Sequence, residues 1–157
     1  MFKIKTLKSS IFKDHRGYYW TSWSKKKVKL DFNHDKFSIS KKNTLRGLHG
    51  DSKTWKLVSC IFGKVFFVIV NFNPKSKNYL KHKSMILKEG ENKQILIPPH
   101  YLNGFLCLSD KCVFHYKLSY KGKYFDVNKQ KSLKWNDPRL KINWPKKKNL
   151  IFSKRDK

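Results

Sequence analysis

An all-β domain, built as an antiparallel sandwich or barrel, is the fold this sequence predicts. Short apolar segments recur at regular spacing, divided by turn-forming Gly, Pro, Asn and Asp. No long segment carries an apolar period of about 3.6 residues. Of the 157 residues, 39% are hydrophobic and 15% aromatic, enough for one core and too many for a disordered basic tail. One domain over residues 1–157 follows, with no repeat or linker.

The elements run as follows. Residues 11–23 read as strand, turn and strand, with Asp14-His15-Arg16-Gly17 as the turn and an aromatic, β-favouring stretch after it. Residues 24–29 are a lysine run, a solvated loop or short helix. Residues 37–40 form a short strand, and Lys41-Lys42-Asn43 turns into the segment 43–56. Two apolar strands, 57–62 and 65–72, are joined by Gly63-Lys64 in hairpin fashion. The loop 73–78 precedes a strand ending at Leu87, and Glu89-Gly90-Glu91-Asn92 turns the chain into the strand 94–97, stopped by Pro98-Pro99. Strands 101–108 and 112–120 complete the pattern. In the last, Phe114, Tyr116, Leu118 and Tyr120 alternate with Val113, His115, Lys117 and Ser119. Trp135 and Trp144 anchor the core and turns of the C-terminal stretch.

The formal charge of +27 invites a nucleic-acid reading. Yet the excess is spread along the chain and is almost all lysine; the arginines are Arg16, Arg46, Arg139 and Arg155. Bidentate phosphate contacts in nucleic-acid surfaces draw on arginine. An anionic small substrate fits the charge equally well, and nucleic acid is not the favoured partner. No apolar run is long enough to span a bilayer, and residues 1–10 hold no signal-peptide core, so a cytoplasmic protein is expected. Cys60, Cys107 and Cys112 form no CxxC pair and read as buried free thiols.

The stretch from Asn43 to Lys56 gathers an arginine, a histidine and a lysine around a glycine. At period two, His49 shares a face with Leu45 and Gly47, and Arg46 lies opposite with Leu48. Lys56 shares a side with Val58 and Cys60, which surrounds its ammonium with apolar atoms. A histidine and a lysine so held could take a proton and steady a negative oxygen.

Further stretches fall in order along the chain: Phe12-Lys13-Asp14-His15-Arg16-Gly17, Arg46-Gly47-Leu48-His49, Lys56, Ile97-Pro98 and Asn103-Gly104-Phe105. Then come Tyr116-Lys117, Trp135-Asn136-Asp137-Pro138, Ile142-Asn143-Trp144-Pro145 and Ser153-Lys154-Arg155-Asp156. In this set the chain resembles the dTDP-4-dehydrorhamnose 3,5-epimerases and their relatives on other nucleotide sugars. The resemblance implies a cupin-type antiparallel jelly-roll barrel, a homodimer, no cofactor and no metal. It implies His49 as catalytic base, Asp156 as the carboxylate orienting it, Lys56 beside the 4-keto oxygen, and Tyr116 as the acid on the opposite ring face. Arg46 and Arg16 match arginines that bind the nucleotide diphosphate, Arg16 on a strand exchanged across the dimer. Asn103, where the family generally has histidine, and Tyr120 are further substrate-binding candidates. Thr21 and residues 50–56 look more like the relatives acting on GDP-linked 4-keto-6-deoxy heptoses.

The expected function is therefore inversion of C3, C5 or both in a nucleotide-linked 4-keto-6-deoxy sugar, through an enolate, for surface polysaccharide synthesis. A 3,4-ketoisomerase of the same fold is the alternative within enzymes. Outside them stands a catalytically silent cupin that binds nucleotide sugars or nucleic acid.

Overall fold

The computed structural model describes residues 3–125 and 128–156, so both ends of the expected 1–157 domain lie outside the described residues. The strands in chain order are β1 Lys5–Lys8, β2 Phe12–Asp14, β3 Gly17–Tyr19, β4 His34–Lys41, β5 Leu45–Gly50 and β6 Trp55–Phe62. They continue with β7 Lys64–Asn71, β8 His82–Lys88, β9 Lys93–Ile97, β10 Tyr101–Cys107, β11 Lys111–Ser119 and β12 Lys131–Ser132. A 3-10 turn, Lys154–Asp156, closes the described chain.

Two five-stranded sheets make the barrel, in the orders β1-β9-β6-β11-β4 and β12-β5-β10-β7-β8, and β2 and β3 form a hairpin of their own. Every strand pairing is antiparallel. This is the jelly-roll architecture the sequence predicts. No helix among the described residues is long and apolar enough to cross a membrane.

Three apolar layers hold the sheets. Between them, Val58, Ile95, Ile97 and Phe114 of the first sheet meet Val65, Phe67, Leu87 and Phe105 of the second. The Phe105 and Phe114 rings stack at 4.7 Å, which fixes the sheet spacing at the centre. Outside the second sheet, Leu48, Val68, Val70 and Leu102 are covered by Leu140, Ile142 and Trp144 of the C-terminal segment. Outside the first, Leu57 and Leu96 lie under Trp23, Val28, Leu30 and Phe32. Buried on both faces, β7 reads as an unbroken apolar run, whereas β4, at a sheet edge, is mostly exposed. The cysteines are free and buried, as expected.

Several boundaries differ from the sequence reading. The strand after the Asp14–Gly17 turn ends at Tyr19 instead of Trp23, and β11 ends at Ser119, leaving Tyr120 outside it. β1 and β12 were not anticipated, because lysine-rich edge strands carry no apolar alternation. Residues 24–29 are a loop of turns.

The most consequential difference lies in β5. Asn103 pairs with His49 and Phe105 with Arg46, so β10 advances two residues while β5 advances three. The extra residue makes a β-bulge and reverses the phase of the strand. Arg46 and His49, which strict alternation puts on opposite faces, both reach the barrel interior. Gly47 adopts φ 118° here, and a Cβ on it would lie 2.5 Å from Gly104 Cα; a Cβ on Gly104 would lie 2.6 Å from the Arg46 carbonyl oxygen. The two backbones approach this closely because neither residue has a side chain.

Gly47→Ala should therefore lower stability by roughly 1–3 kcal/mol, through overpacking and an unfavourable φ, as read by urea unfolding. An unchanged midpoint would mean that β5 and β10 tolerate separation.

Candidate active site

A cavity of about 560 Å³ opens between the two sheets. His49 and Arg46 of β5, Lys56 of β6, Asn103 of β10, Tyr116 of β11 and Asp156 of the terminal turn all line it. Each strand delivers its residue by inward alternation, with the bulge supplying the exception. The terminal turn is held by chain pairing: Ile151 bridges Thr44, and Leu45 N–H donates to the Ile151 carbonyl at 2.9 Å. That pairing sets Asp156 against β5.

Asp156 is 6% exposed and Oδ1 lies 2.6 Å from His49 Nε2. Gly47 N–H donates to the same oxygen at 3.2 Å, and the Ser153 hydroxyl to Oδ2 at 2.7 Å. Burial alone pushes this carboxyl up. The hydrogen bonds from His49 and Ser153, the charge of His49 and the Gly47 N–H together outweigh it and hold the group below the ordinary carboxylate range. Asp156 is thus an anion that accepts the Nε2 proton. The other ring nitrogen, Nδ1, lies 2.8 Å from Ser132 Oγ on β12.

Lys56 is 7% exposed; it donates to Asn103 Oδ1 at 2.7 Å and to the His49 carbonyl at 3.2 Å. An ammonium has three N–H bonds, so one remains for a ligand in the cavity. Burial lowers its pKa to about 8; the Asp51 carboxylate opposes that shift and Lys36 adds to it. The amide of Asn103 holds the ammonium without cancelling its charge. Tyr116 packs on the Phe114 ring at 5.0 Å. Burial raises its phenol well above the ordinary range, with the positive Arg46 opposing, so it stays protonated at neutral pH. Arg46 Nε donates to Ser40 Oγ at 3.0 Å, and Lys36 and Arg155 line the same cavity.

Two expected substrate-binding residues are not brought here. Arg16 projects from the β2–β3 hairpin, 78% exposed and paired with Asp14 at 2.6 Å, outside the cavity of its own chain. Tyr120, one residue past the end of β11, meets His34 Nδ1 at 3.2 Å and is not among the residues lining this cavity, though its ring lies 5.2 Å from that of Tyr124, which is. Asn103 does line the cavity, with its side-chain oxygen turned to Lys56. Ser132, Lys36, Tyr124, Gln130 and Arg155 were not anticipated; only Arg155 lay in a recognised stretch. Among the described residues no group of three or more His, Cys, Asp or Glu side chains is placed to hold a metal ion.

A jelly-roll barrel with an imidazole–carboxylate pair, a buried ammonium and a protonated phenol on one cavity has the fold of the cupin class and groups suited to proton transfer. Comparison with known proteins narrows the class. A family model described as dTDP-4-dehydrorhamnose 3,5-epimerase matches residues 3–157. The Escherichia coli K12 protein of that name is 34% identical, over 98% of this chain and 86% of its own. Among solved structures, the Legionella pneumophila dTDP-6-deoxy-D-glucose-3,5-epimerase in complex with dTDP-4-keto-L-rhamnose is 32% identical with a TM-score of 0.90, covering 98% of this chain and 84% of that one. The Bacillus anthracis dTDP-4-dehydrorhamnose 3,5-epimerase, with TDP and PPi bound, is 28% identical with a TM-score of 0.89, covering 98% and 90%. The chain belongs to the dTDP-4-dehydrorhamnose 3,5-epimerase family and is an isomerase of the epimerase class.

The low pKa of Lys56 has two pH signatures of opposite sign. Between about 8 and about 10.4 the unfolded chain holds the lysine proton and the folded chain does not, so this site's contribution to stability rises with pH. Activity that needs the ammonium falls as pH passes through about 8. Across this window wild type should gain stability relative to Lys56→Met while losing kcat/KM. A wild type that loses stability relative to the variant would show that the ammonium supports the fold.

Proposed function

We propose that the protein inverts C3, C5 or both in a nucleoside-diphosphate-linked 4-keto-6-deoxy sugar. The observation that carries this reading is the joint presence of His49–Asp156, Lys56 and Tyr116 on one cavity. A 4-keto group acidifies the hydrogens on both neighbouring carbons. His49 takes one of them, the electron pair of the broken C–H bond moves onto the keto oxygen, and Lys56 donates to the resulting enolate. Tyr116 returns a proton to the carbon from the opposite face, which inverts the centre; it then recovers its own from solvent, and His49 releases the proton it took to solvent. Asp156 supports the imidazolium formed in between. Arg46 and Lys36 give the cavity the positive charge a diphosphate requires.

The names of the relatives favour dTDP-4-dehydrorhamnose as substrate. The likeness of residues 50–56 to GDP-linked heptose epimerases favours a guanine nucleotide, so both belong in the assay. A homodimer is part of this reading. Phe12 and Tyr19 on the hairpin are 56% and 66% exposed, and Phe37 and Ile39 on edge strand β4 are 64% and 62% exposed. Such apolar surface suits a second copy of the chain, with the hairpin carrying Arg16 towards the partner's cavity. A cytoplasmic location goes with a nucleotide-sugar substrate and a role in surface polysaccharide synthesis.

Incubation of dTDP- and GDP-linked 4-keto-6-deoxy sugars in D2O should place deuterium at C3, C5 or both. Label at neither carbon with every candidate would leave a binding protein. His49→Asn should reduce exchange by ~10²–10⁴-fold with the fold intact; exchange near the wild-type rate would remove His49 from the mechanism. Tyr116→Phe should slow inversion more than proton loss, and equal losses would argue against acid and base on opposite faces. Sedimentation should give a dimer; a monomer at micromolar concentration would sink the exchange of the Arg16 hairpin.

A further inference from the structure

The turn between β5 and β6 carries two buried oxygens that the proton chemistry does not use. Asp51 is 5% exposed and Thr54 2% exposed, and both line the cavity beside His49 and Lys56. Asp51 Oδ1 accepts the Lys53 and Thr54 backbone N–H groups at 2.9 and 2.7 Å, and the Asp51 carbonyl accepts His100 N–H at 2.8 Å. The turn is therefore pinned through both the side chain and the main chain of Asp51. Asp51 Oδ2 and Thr54 Oγ1, by contrast, have no hydrogen-bond partner among the described residues.

Orphaned oxygens of this kind are uncommon in folded proteins, because each carries the desolvation cost of a polar group. On the wall of a ligand cavity, such a group is one that a ligand can complete. The chemistry of the two narrows what completes them. A carboxylate only accepts, and a threonine hydroxyl both donates and accepts. A ligand hydroxyl also does both: it gives its hydrogen to Asp51 Oδ2 and takes one from Thr54 Oγ1. A carbonyl or ring oxygen has no hydrogen for the carboxylate, and a methyl group has nothing for either. An ammonium would suit Asp51, but it would enter a cavity already lined by Lys36, Arg46 and Lys56.

Asp51 and Thr54 lie in the chain between His49 and Lys56, whose Nζ donates to the His49 carbonyl at 3.2 Å, so the turn belongs to the proton-transfer end of the cavity. Asp51 also borders a smaller cavity of about 360 Å³, but Thr54 does not, and the two share only the first.

We propose that Asp51 and Thr54 are specificity-determining residues that bind one hydroxyl of the sugar and so select a substrate that keeps it over the deoxy counterpart. This deepens the epimerase reading and rests on it for the identity of the ligand as a nucleotide sugar. A site built to hydrogen-bond a hydroxyl rejects the analogue lacking it, because its own buried groups are then left unpaired.

Calorimetry with unreactive probes tests this: dTDP- and GDP-linked 6-deoxy sugars whose C4 carries a hydroxyl in place of the ketone, intact or lacking one other hydroxyl at a time. Wild type should bind the intact sugar ~10–100-fold more tightly than one of the deoxy forms. Thr54→Val, which keeps the shape, should weaken binding of the intact sugar by roughly 3–10-fold, and Asp51→Asn, which keeps Oδ1 for the turn, by ~10–100-fold. Both variants should bind that deoxy form, and dTDP or GDP alone, as wild type does. Equal wild-type affinity for every deoxy form would mean that water alone meets the two oxygens. Equal losses on intact and deoxy sugars would mean that Asp51 acts through the charge of Lys56, which its carboxylate supports. Tighter binding of an amino sugar than of its hydroxyl counterpart would mean a cation site. Each of these three results overturns the proposal, and the wild-type comparison needs no variant to fold. Calorimetry needs no turnover, so absence of deuterium exchange would sink the epimerase reading while leaving the selection of a hydroxyl to be decided by these affinities.

Discussion

The site depends on the contact of two glycine backbones. Where Gly47 meets Gly104, β5 gains one residue on β10, and the strand's facing reverses. Without that gain, either the arginine or the histidine of the Arg46–His49 pair would point away from the interior. The same contact puts Gly47 N–H on Asp156, so one local irregularity sets the phase of the strand and helps fix the carboxylate. Regular sheets repeat every second residue and cannot place positions 46 and 49 on one side. A bulge is how an antiparallel barrel gathers groups that its own period would scatter.

Electrostatics divides the groups so collected into distinct tasks. Burial pushes both Asp156 and Lys56 towards their neutral forms, yet only at Asp156 do the neighbours overcome it. The carboxylate receives hydrogen bonds enough to stay charged, whereas the ammonium is held by an amide and a carbonyl and drops to about 8. At Tyr116 burial outweighs the positive Arg46, and the phenol stays protonated. An imidazole with its counter-charge, a buried cation and a neutral phenol coexist within a few strands. The general lysine excess of the chain sets the background in which an anionic ligand is drawn in, but it is the few placed cations that define the cavity.

How much of this could be read from the residues depends on which forces act locally. β6, β7, β10 and β11 were legible because apolar runs that fill a core have few alternatives to being strands. The inward direction of Lys56 followed from Val58 and Cys60, and that of Tyr116 from Phe114 and Leu118. The pairing of His49 with Asp156 was legible only through the ordered motifs, since the two lie 107 residues apart. The phase of β5 was not, because a bulge is a property of two strands and the sequence of one does not contain it. β1 is an edge built of Lys5-Thr6-Leu7-Lys8, whose exposure erases the pattern a reader would seek. Ser132 gave no signal, being a lone serine in a lysine-rich stretch that becomes a strand only by pairing with β5.

The tail that carries Asp156 is tied to the start of β5 through Ile151 and Thr44, so the last piece of the site comes from the far end of the chain. During synthesis every strand of both sheets leaves the ribosome before that carboxylate does. His49 therefore gains its carboxylate partner only once residues 151–156 have been made and seat against β5.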